Sequence, residues 1–551
     1  MASTKDGLSP DELQTALRVL AAVAADRGVL AGIDREGREQ LQRLCGEVAR
    51  PDLKQRKMLQ KALARAERQG KRDHDEGLRQ RAGIQQLRAQ PVFQAPLPSL
   101  PPVTPPQDRA PQGFAPQGFA PQGLAPQGGG APTEEPRGDE APQAEAPRFS
   151  SERKCYVCKR PYLERHHFYD QLCPGCGELN FSRRTATADL RGRVALVTGA
   201  RVKIGYQAAL LLLRAGCTVV ACTRFPRDAA QRYAREPDFS SWRERLQVYG
   251  VDLRHTPGVE LLCAHLEQEL GRLDFQVHNA CQTVRRPPGF YRHLLDRELQ
   301  AMGEVPAAER PLLQGYEALR AAARAPGVAA PALLSQAASE ADLLSRSALH
   351  AHAGLPAQGG AVELFPHGVL DADLQQVDLR THNSWRLALG EVPTLELLEV
   401  LLVNATAPFV MAQRLLPLMR RSAPPPGTHT SHDDARHLVM VSAMEGQFYR
   451  QHKTDKHPHT NMAKAALNML VRTSAAALAR EHVYLNAVDT GWVTDEDPAH
   501  LAARKVEEHR FSPPLDIVDG AARIVDPIFQ GFVTGSHAHG LFFKDYAPAP
   551  W

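Results

Sequence analysis

Apolar positions change their spacing several times along the chain, and each change marks a boundary. Between Ser9 and about Gln90, Leu13, Leu17, Leu20 and Val23 recur at helical spacing behind a start signal at Ser9, Pro10, Asp11 and Glu12. Residues 1–90 are therefore expected to form a helical module. The stretch 91–150 has no period. Its prolines and the near-repeat Ala-Pro-Gln-Gly leave too little apolar surface to bury, which predicts a disordered Pro/Gly-rich linker. At residue 192 the pattern turns into a short apolar, β-rich run ending at Gly199, then a helix with one apolar face over 204–215. Residues 285–390, rich in Ala and Leu with Pro and Gly breaks, read as a largely helical insertion.

Composition narrows the class. A chain of 551 residues, 43% hydrophobic and 23% charged, is long enough for several domains and is neither a fibre nor a disulfide miniprotein. The net charge of +4 argues against a nucleic-acid binder by composition. A local basic run (Lys54, Arg56, Lys57, Lys61, Arg65, Arg68, Lys71, Arg72) leaves an acidic partner or nucleic acid open beside the plainer reading of a solvated helix face. The N-terminus lacks a secretory apolar core and no stretch approaches 18 uncharged apolar residues, so a cytoplasmic protein with no membrane contact is expected. Of nine cysteines, Cys45, Cys217, Cys222, Cys263 and Cys281 are scattered and expected to be buried apolar residues. The other four form two C-x-x-C pairs, Cys155/Cys158 and Cys173/Cys176, fourteen residues apart. Such a set suits one tetrahedral Zn ion in a closed, structural site, and residues 151–182 resemble a zinc ribbon or treble-clef knuckle. His166 and His167 lie between the pairs and are expected to be bystanders.

The glycine turn carries a resemblance. Thr198-Gly199-Ala200-Arg201-Val202-Lys203-Ile204-Gly205 resembles the T-G-x-x-x-G-x-G turn of the short-chain dehydrogenase/reductase family, with Lys203 in place of the middle glycine. In that family the turn lets a pyrophosphate approach backbone N–H groups at a helix N-terminus. The next strand ends in Thr223-Arg224, where an NAD enzyme carries an acidic residue, so the resemblance implies NADP(H) rather than NAD(H). Asp252-Leu253 is similar to the family's adenine-contacting pair, and Asn279-Ala280 to its N-N-A-G block, flanked here by His278 and Cys281. Gly491, Val493 and Thr494 resemble the loop after the sixth strand, with Thr490 for the usual proline and the Val493 backbone at the nicotinamide carboxamide. Residues 540–546 resemble the final strand. The resemblance implies an α/β fold: a Rossmann-type doubly wound parallel sheet over 190–551, preceded by the zinc knuckle, the linker and the helical module. Asn279 and the next matching residue, Asn404, are 125 positions apart, which places the insertion at about 285–390. It enters beside the ligand mouth of such a sheet, where a substrate cap and a partner surface both fit.

At the positions where the family does its chemistry, the sequence departs. Lys464 matches the lysine that holds the ribose, and Asn404 the asparagine that supports this lysine through water. Thr460 stands where the proton-donating tyrosine belongs, and Ala443 where the serine does, with Ser442 just before it. A threonine hydroxyl is a poor proton donor. Two readings stay open. In one, Tyr449 or one of His452, His457 and His459 handles the proton in an NADP(H)-dependent oxidoreductase acting on an unspecified carbonyl or alcohol. In the other, the site binds NADP(H) without turnover and the chain is a sensor or scaffold, reaching a protein partner through its zinc module or insertion. A third reading, a nucleic-acid or protein-modification factor led by the zinc knuckle and basic helices, is the weakest, and a homo-oligomer is left open.

Overall fold

The computed structural model describes residues 9–95, 147–323, 364–421, 434–450 and 453–551. The expected linker and the middle of the insertion lie largely outside them. The chain divides into two units, Met1–Gly77 and Leu78–Trp551.

In the first unit, helices span Pro10–Ala25 and Arg35–Ala49, and a third, Leu53–Gln80, begins there and ends three residues past Gly77. The start signal works as read: Ser9 Oγ accepts the Glu12 N–H at 3.2 Å and the Glu12 carboxylate accepts that of Ser9 at 2.6 Å. The apolar stripe, however, finds no core, because Leu13, Leu17 and Leu20 remain 50%, 62% and 40% exposed. Residues 78–90, read as part of this module, instead pack in the second unit, where Leu78, Ala82 and Ile84 share a buried cluster with Phe149, Cys155 and Tyr169.

The second unit opens with a hairpin, β1 (Arg148–Lys154) against β2 (Pro161–Glu164), and the helix Pro174–Arg184. The main sheet follows: β3 (Val194–Thr198), β4 (Thr218–Thr223), β5 (Leu246–Gly250), β6 (Phe275–His278), β7 (Arg436–Ser442), β8 (Val483–Asp489), β9 (Phe542–Lys544) and β10 (Ala547–Ala549). Their order is β10-β9-β8-β7-β6-β3-β4-β5, parallel except for the antiparallel edge pair β9/β10. This is a Rossmann-type doubly wound sheet. Its strands are apolar on both faces, as a parallel sheet covered by helices on both sides requires. Alternate residues separate cleanly: Ala195 and Val197 join the layer of helices Lys203–Arg214 and Ile517–Thr534, whereas Leu196 faces Thr256–Glu269, Ala407–Arg421 and Pro458–Ala479. The strand order reverses between β3 and β6, which leaves a crevice at their carboxyl ends.

The insertion is built into this body. Its helix Arg310–Ala323 covers the β5 edge, with Tyr316 and Leu319 in the core beside Tyr249. A second helix, Pro288–Glu298, packs Phe290, Tyr291 and Leu294 with Phe225 and Phe365. Beyond residue 364 the described part is turns rather than helix, down to short 3-10 turns at Ser384–Arg386 and Leu389–Glu391. The run Thr394–Arg421 is long and apolar enough by composition to cross a membrane. Here Met411, Leu415, Leu418 and Met419 lie in the core. Cys217, Cys222 and Cys263 are buried as expected, but Cys45 and Cys281 are exposed.

Candidate functional site

A cavity of about 590 Å³ occupies the crevice at the carboxyl ends of β3, β4, β5 and β6. Its floor is the glycine turn. Gly199 and Lys203 both take left-handed backbone, φ +68° and +54°, so the lysine adopts the conformation for which glycine is the natural residue. Gly205 must lack a side chain, since a Cβ there would sit 2.3 Å from both the Gly199 carbonyl oxygen and Asn279 Nδ2. The helix Lys203–Arg214 begins with Val202 at its cap, which offers its first N–H groups no side-chain acceptor. They are left for an anion. Asn279 Nδ2 donates to the Thr198 carbonyl at 3.2 Å, and the Ala280 N–H donates to Thr198 Oγ1 at 3.1 Å, tying β6 to the turn.

Cations gather at the end of β4. Arg201 is buried and paired with Asp228 at 2.7 Å. Arg224 lies over the ring of Tyr291 and donates to its hydroxyl at 2.6 Å, so a residue of the insertion aims a guanidinium lining the cavity. Asp252 is clasped by Arg254, which also reaches Glu399 at 3.4 Å. Opposite the turn, Glu496 accepts from the Thr494 hydroxyl at 2.7 Å. Burial raises its pKa, but the Lys203 charge and the Thr494 bond outweigh this and hold it below the ordinary carboxylate value. Asp373, facing the same lysine, is pushed up by its burial.

The expected cofactor residues divide accordingly. Thr198, Gly199, Arg201, Lys203, Ile204, Gly205, Thr223, Arg224, Asp252, Leu253, Asn279, Ala280 and Thr494 line this one cavity, whereas Gly491, Val493 and Lys464 do not. None of Asn404, Ser442, Tyr449 and Thr460 lines it either. Asn404 sits in a π turn, Leu402–Thr406, and bonds the backbone of Gln282 through both side-chain atoms, at 2.7 and 3.2 Å. Lys464, buried in the helix Pro458–Ala479, donates to the Val441 carbonyl at 2.7 Å. The Ser442 hydroxyl donates to Asn468 Oδ1 at 2.6 Å, pointing into the helix instead of toward a substrate. Thr460 is buried, and among the described residues its hydroxyl has no partner. Tyr449 is 45% exposed, its hydroxyl 3.9 Å from Met444 Sδ.

Two carboxylates here carry no sequence signal. His459 Nε2 is 3.7 Å from Glu396, a buried carboxylate of the helix Thr394–Leu401. Burial raises the Glu396 pKa, but His459 and the Ser384 hydroxyl more than offset it. Asp489, at the end of β8, accepts the Met444 N–H at 3.3 Å and is pushed up to about 6 by burial. Neither carboxylate stands in a motif. Tyr291 and Glu496 were equally invisible, because their partners are far away in sequence.

The four cysteine Sγ atoms lie within 4.8 Å of one another, with Cys158 and Cys173 at 3.8 Å. Cys155 and Cys158 flank the turn after β1, and Cys173 and Cys176 the start of the helix Pro174–Arg184. The donor set suits a tetrahedral ion, since Zn–S bonds of about 2.3 Å put sulfurs about 3.8 Å apart. His166 stands outside this set, its Nδ1 accepting the Phe168 N–H at 3.1 Å.

The sequence model of the short chain dehydrogenase family matches residues 193–304. The chain carries a short-chain dehydrogenase domain. It is 31% identical over 396 residues to an uncharacterized protein of Acanthamoeba polyphaga mimivirus, covering 69% of this chain and 72% of that one, and belongs to one family with it. It is also 31% identical over 156 residues to the rhamnolipids biosynthesis 3-oxoacyl-(acyl-carrier-protein) reductase of Pseudomonas aeruginosa, covering 27% of this chain and 55% of the reductase. Among solved structures, the Pseudomonas aeruginosa RhlG/NADP active-site complex aligns with 20% identity and a TM-score of 0.38, over 64% of this chain and 95% of that one. The matched segment of the short-chain dehydrogenase domain runs from β3 into the insertion, and so holds the glycine turn, Arg224, Asp252 and Asn279.

Proposed function

We propose that the short-chain dehydrogenase domain binds NADP(H) in this cavity and acts as an oxidoreductase on a carbonyl or alcohol. The carrying observation is the pairing of a side-chain-free turn and helix N-terminus with a cationic wall of Arg201 and Arg224 where the second strand ends. When bound, the dinucleotide supplies or accepts the hydride. The chain's residues do the remainder: the helix N–H groups hold the pyrophosphate, Arg224 takes the 2′-phosphate, and Lys464 holds the ribose. Tyr449 and His459 are the candidates for moving the proton. The free thiols suit a reducing compartment, which favours a cytoplasmic site of action.

A second reading is favoured by one observation. With Ala443 and Thr460 where the family carries its serine and tyrosine, and the neighbouring Ser442 hydroxyl bonded to Asn468, the usual proton path is missing, as in a protein that binds NADP(H) without turnover. Titration of NADPH and NADH followed by nicotinamide fluorescence, then a carbonyl panel, separates the readings. Arg224→Ala should weaken NADPH by about 10- to 100-fold, the value of a charge-assisted hydrogen bond, and leave NADH unchanged. Turnover lost in Tyr449→Phe or His459→Gln identifies the donor. Tight binding with no turnover on any substrate favours the second reading, and absence of binding refutes both.

A further inference from the structure

One side chain of the cysteine module reaches the loop that leads into the cavity. Tyr156 lies between the first two cysteines, and its hydroxyl accepts the Trp492 N–H at 2.9 Å. Trp492 is in the loop after β8, two residues before Thr494, which lines the cavity. The two are also continuous through apolar contact: Cys155, Val493, Leu515 and Ile517 form one buried cluster, and Ile204 of the glycine turn packs against it. What fixes Tyr156 is the knuckle. Its N–H donates to the Gln171 carbonyl at 2.9 Å, the Cys155 N–H to the Arg160 carbonyl at 2.9 Å, and the Cys173 N–H to Cys155 Sγ at 3.4 Å. An N–H to sulfur bond of this kind is a typical second layer around a metal thiolate.

The rest of the module is anchored elsewhere. Arg184 pairs with Asp516 at 2.6 Å and Asp519 at 2.9 Å, and Arg523 bonds Asn180 at 2.6 Å, all at the helix Ile517–Thr534. Loss of a metal would therefore leave the module docked, with only the Cys155–Cys158 turn and its tyrosine released.

We propose that Cys155, Cys158, Cys173 and Cys176 bind one Zn ion that holds Tyr156 against residues 491–494, so that metal occupancy sets the shape of this loop and through it the affinity for dinucleotide. The loop half of this inference is independent of the cofactor reading; the affinity half rests on it.

The test uses the full chain. Metal content is measured after purification, Zn is then removed with a chelator, and Trp492 emission is followed as the difference from Trp492→Phe. One Zn per chain is expected, with a Trp492 emission shift on removal that reverses on adding Zn alone. NADPH should bind about tenfold more weakly without metal. Tyr156→Phe, which keeps the ring and loses only the hydroxyl, should retain Zn, show the emission shift, and lose about three- to tenfold in NADPH affinity. Substoichiometric metal in Zn-supplemented protein overturns the inference, as does Trp492 emission unchanged by Zn removal or by Tyr156→Phe. If emission responds but metal-loaded wild-type protein binds no NADPH, the cofactor reading fails while the metal–loop coupling stands. If it binds NADPH with an affinity indifferent to Zn, the affinity half is overturned.

Discussion

His278 gives the sharpest test of how the sheet is built. It occupies the end of β6 beside the crevice, 2% exposed, with Nε2 3.1 Å from Gln276 Oε1 and no partner for Nδ1 among the described residues. Burial alone pushes its pKa down to about 4, from 6.5. The native state thus binds the proton some 2.5 decades more weakly than the unfolded chain, at about 1.4 kcal/mol per decade. A depressed folded pKa contributes stability that is present above the unfolded value and lost as pH falls through the folded one. The loss between pH 7 and pH 4 should be about 3 kcal/mol. His278→Asn removes the titrating ring, so the fall in unfolding free energy across that range should be about 3 kcal/mol smaller in the variant than in the wild type. Urea unfolding followed by far-UV circular dichroism at half-unit pH steps measures it. Parallel pH profiles for the two proteins would refute the buried, uncompensated imidazole.

Three further outcomes test the cradle and the insertion. Lys203→Gly relieves left-handed backbone costing about 1 kcal/mol and removes the cation facing the phosphates, so thermal stability should hold or rise slightly while NADPH affinity falls severalfold; a clear loss of stability would refute the strain. Gly205→Ala places a methyl against the Gly199 carbonyl and should abolish NADPH binding at a cost of about 1–3 kcal/mol in unfolding free energy, read by titration and urea unfolding; wild-type affinity would show that the turn is not the cradle. Glu298 accepts the N–H groups of Arg227 and Asp228 at the start of a helix, and burial lifts its pKa to about 7. A raised carboxylate pKa contributes stability present below about 4.5 and lost as pH rises through 7, so Glu298→Gln should flatten the stability profile between pH 5 and 8 by about 1–2 kcal/mol, the side chain keeping part of its exposure.

What the sequence displayed was local. The β3 strand, its turn and its helix are one continuous segment whose apolar period and glycines dictate backbone geometry directly, and the residues expected there meet around one cavity. What it concealed was supplied from a distance. Tyr291 reaches Arg224 from the insertion, Asn468 claims the Ser442 hydroxyl from a turn deeper in the next helix, and Tyr156 meets Trp492 across most of the chain. Amphipathic spacing also proved silent about burial: Leu13 and Leu17 carry a helical stripe yet stay exposed. Cysteine burial followed position rather than residue type, with Cys217 and Cys222 at the β4 strand buried and Cys281 exposed in the crevice loop.

The two halves of the site differ in how their polar groups are engaged, and this fixes where binding energy can come from. In the adenosine half, the N–H groups after Val202 have no side-chain cap and Arg224 rests on the Tyr291 hydroxyl and the rings of Tyr291 and Phe225, so a phosphate gains bonds there without breaking many. In the other half, Lys464 already donates to the Val441 carbonyl, Ser442 to Asn468, and Asn404 is tied on both sides to Gln282. Lys464 does not line the cavity, so a ribose hydroxyl that recruits it must draw the ammonium away from the Val441 carbonyl, giving up a bond worth about 1.5–3 kcal/mol to a charged donor, and the net gain is small. Adenosine 2′,5′-bisphosphate should therefore bind within about tenfold of NADPH, whereas an enzyme with a preformed nicotinamide pocket would show a much larger gap. Competition of the fragment against NADPH fluorescence measures the ratio. A fragment weaker by a hundredfold or more would mean that the Lys464 half opens at no cost, and that these internal bonds do not hold it closed.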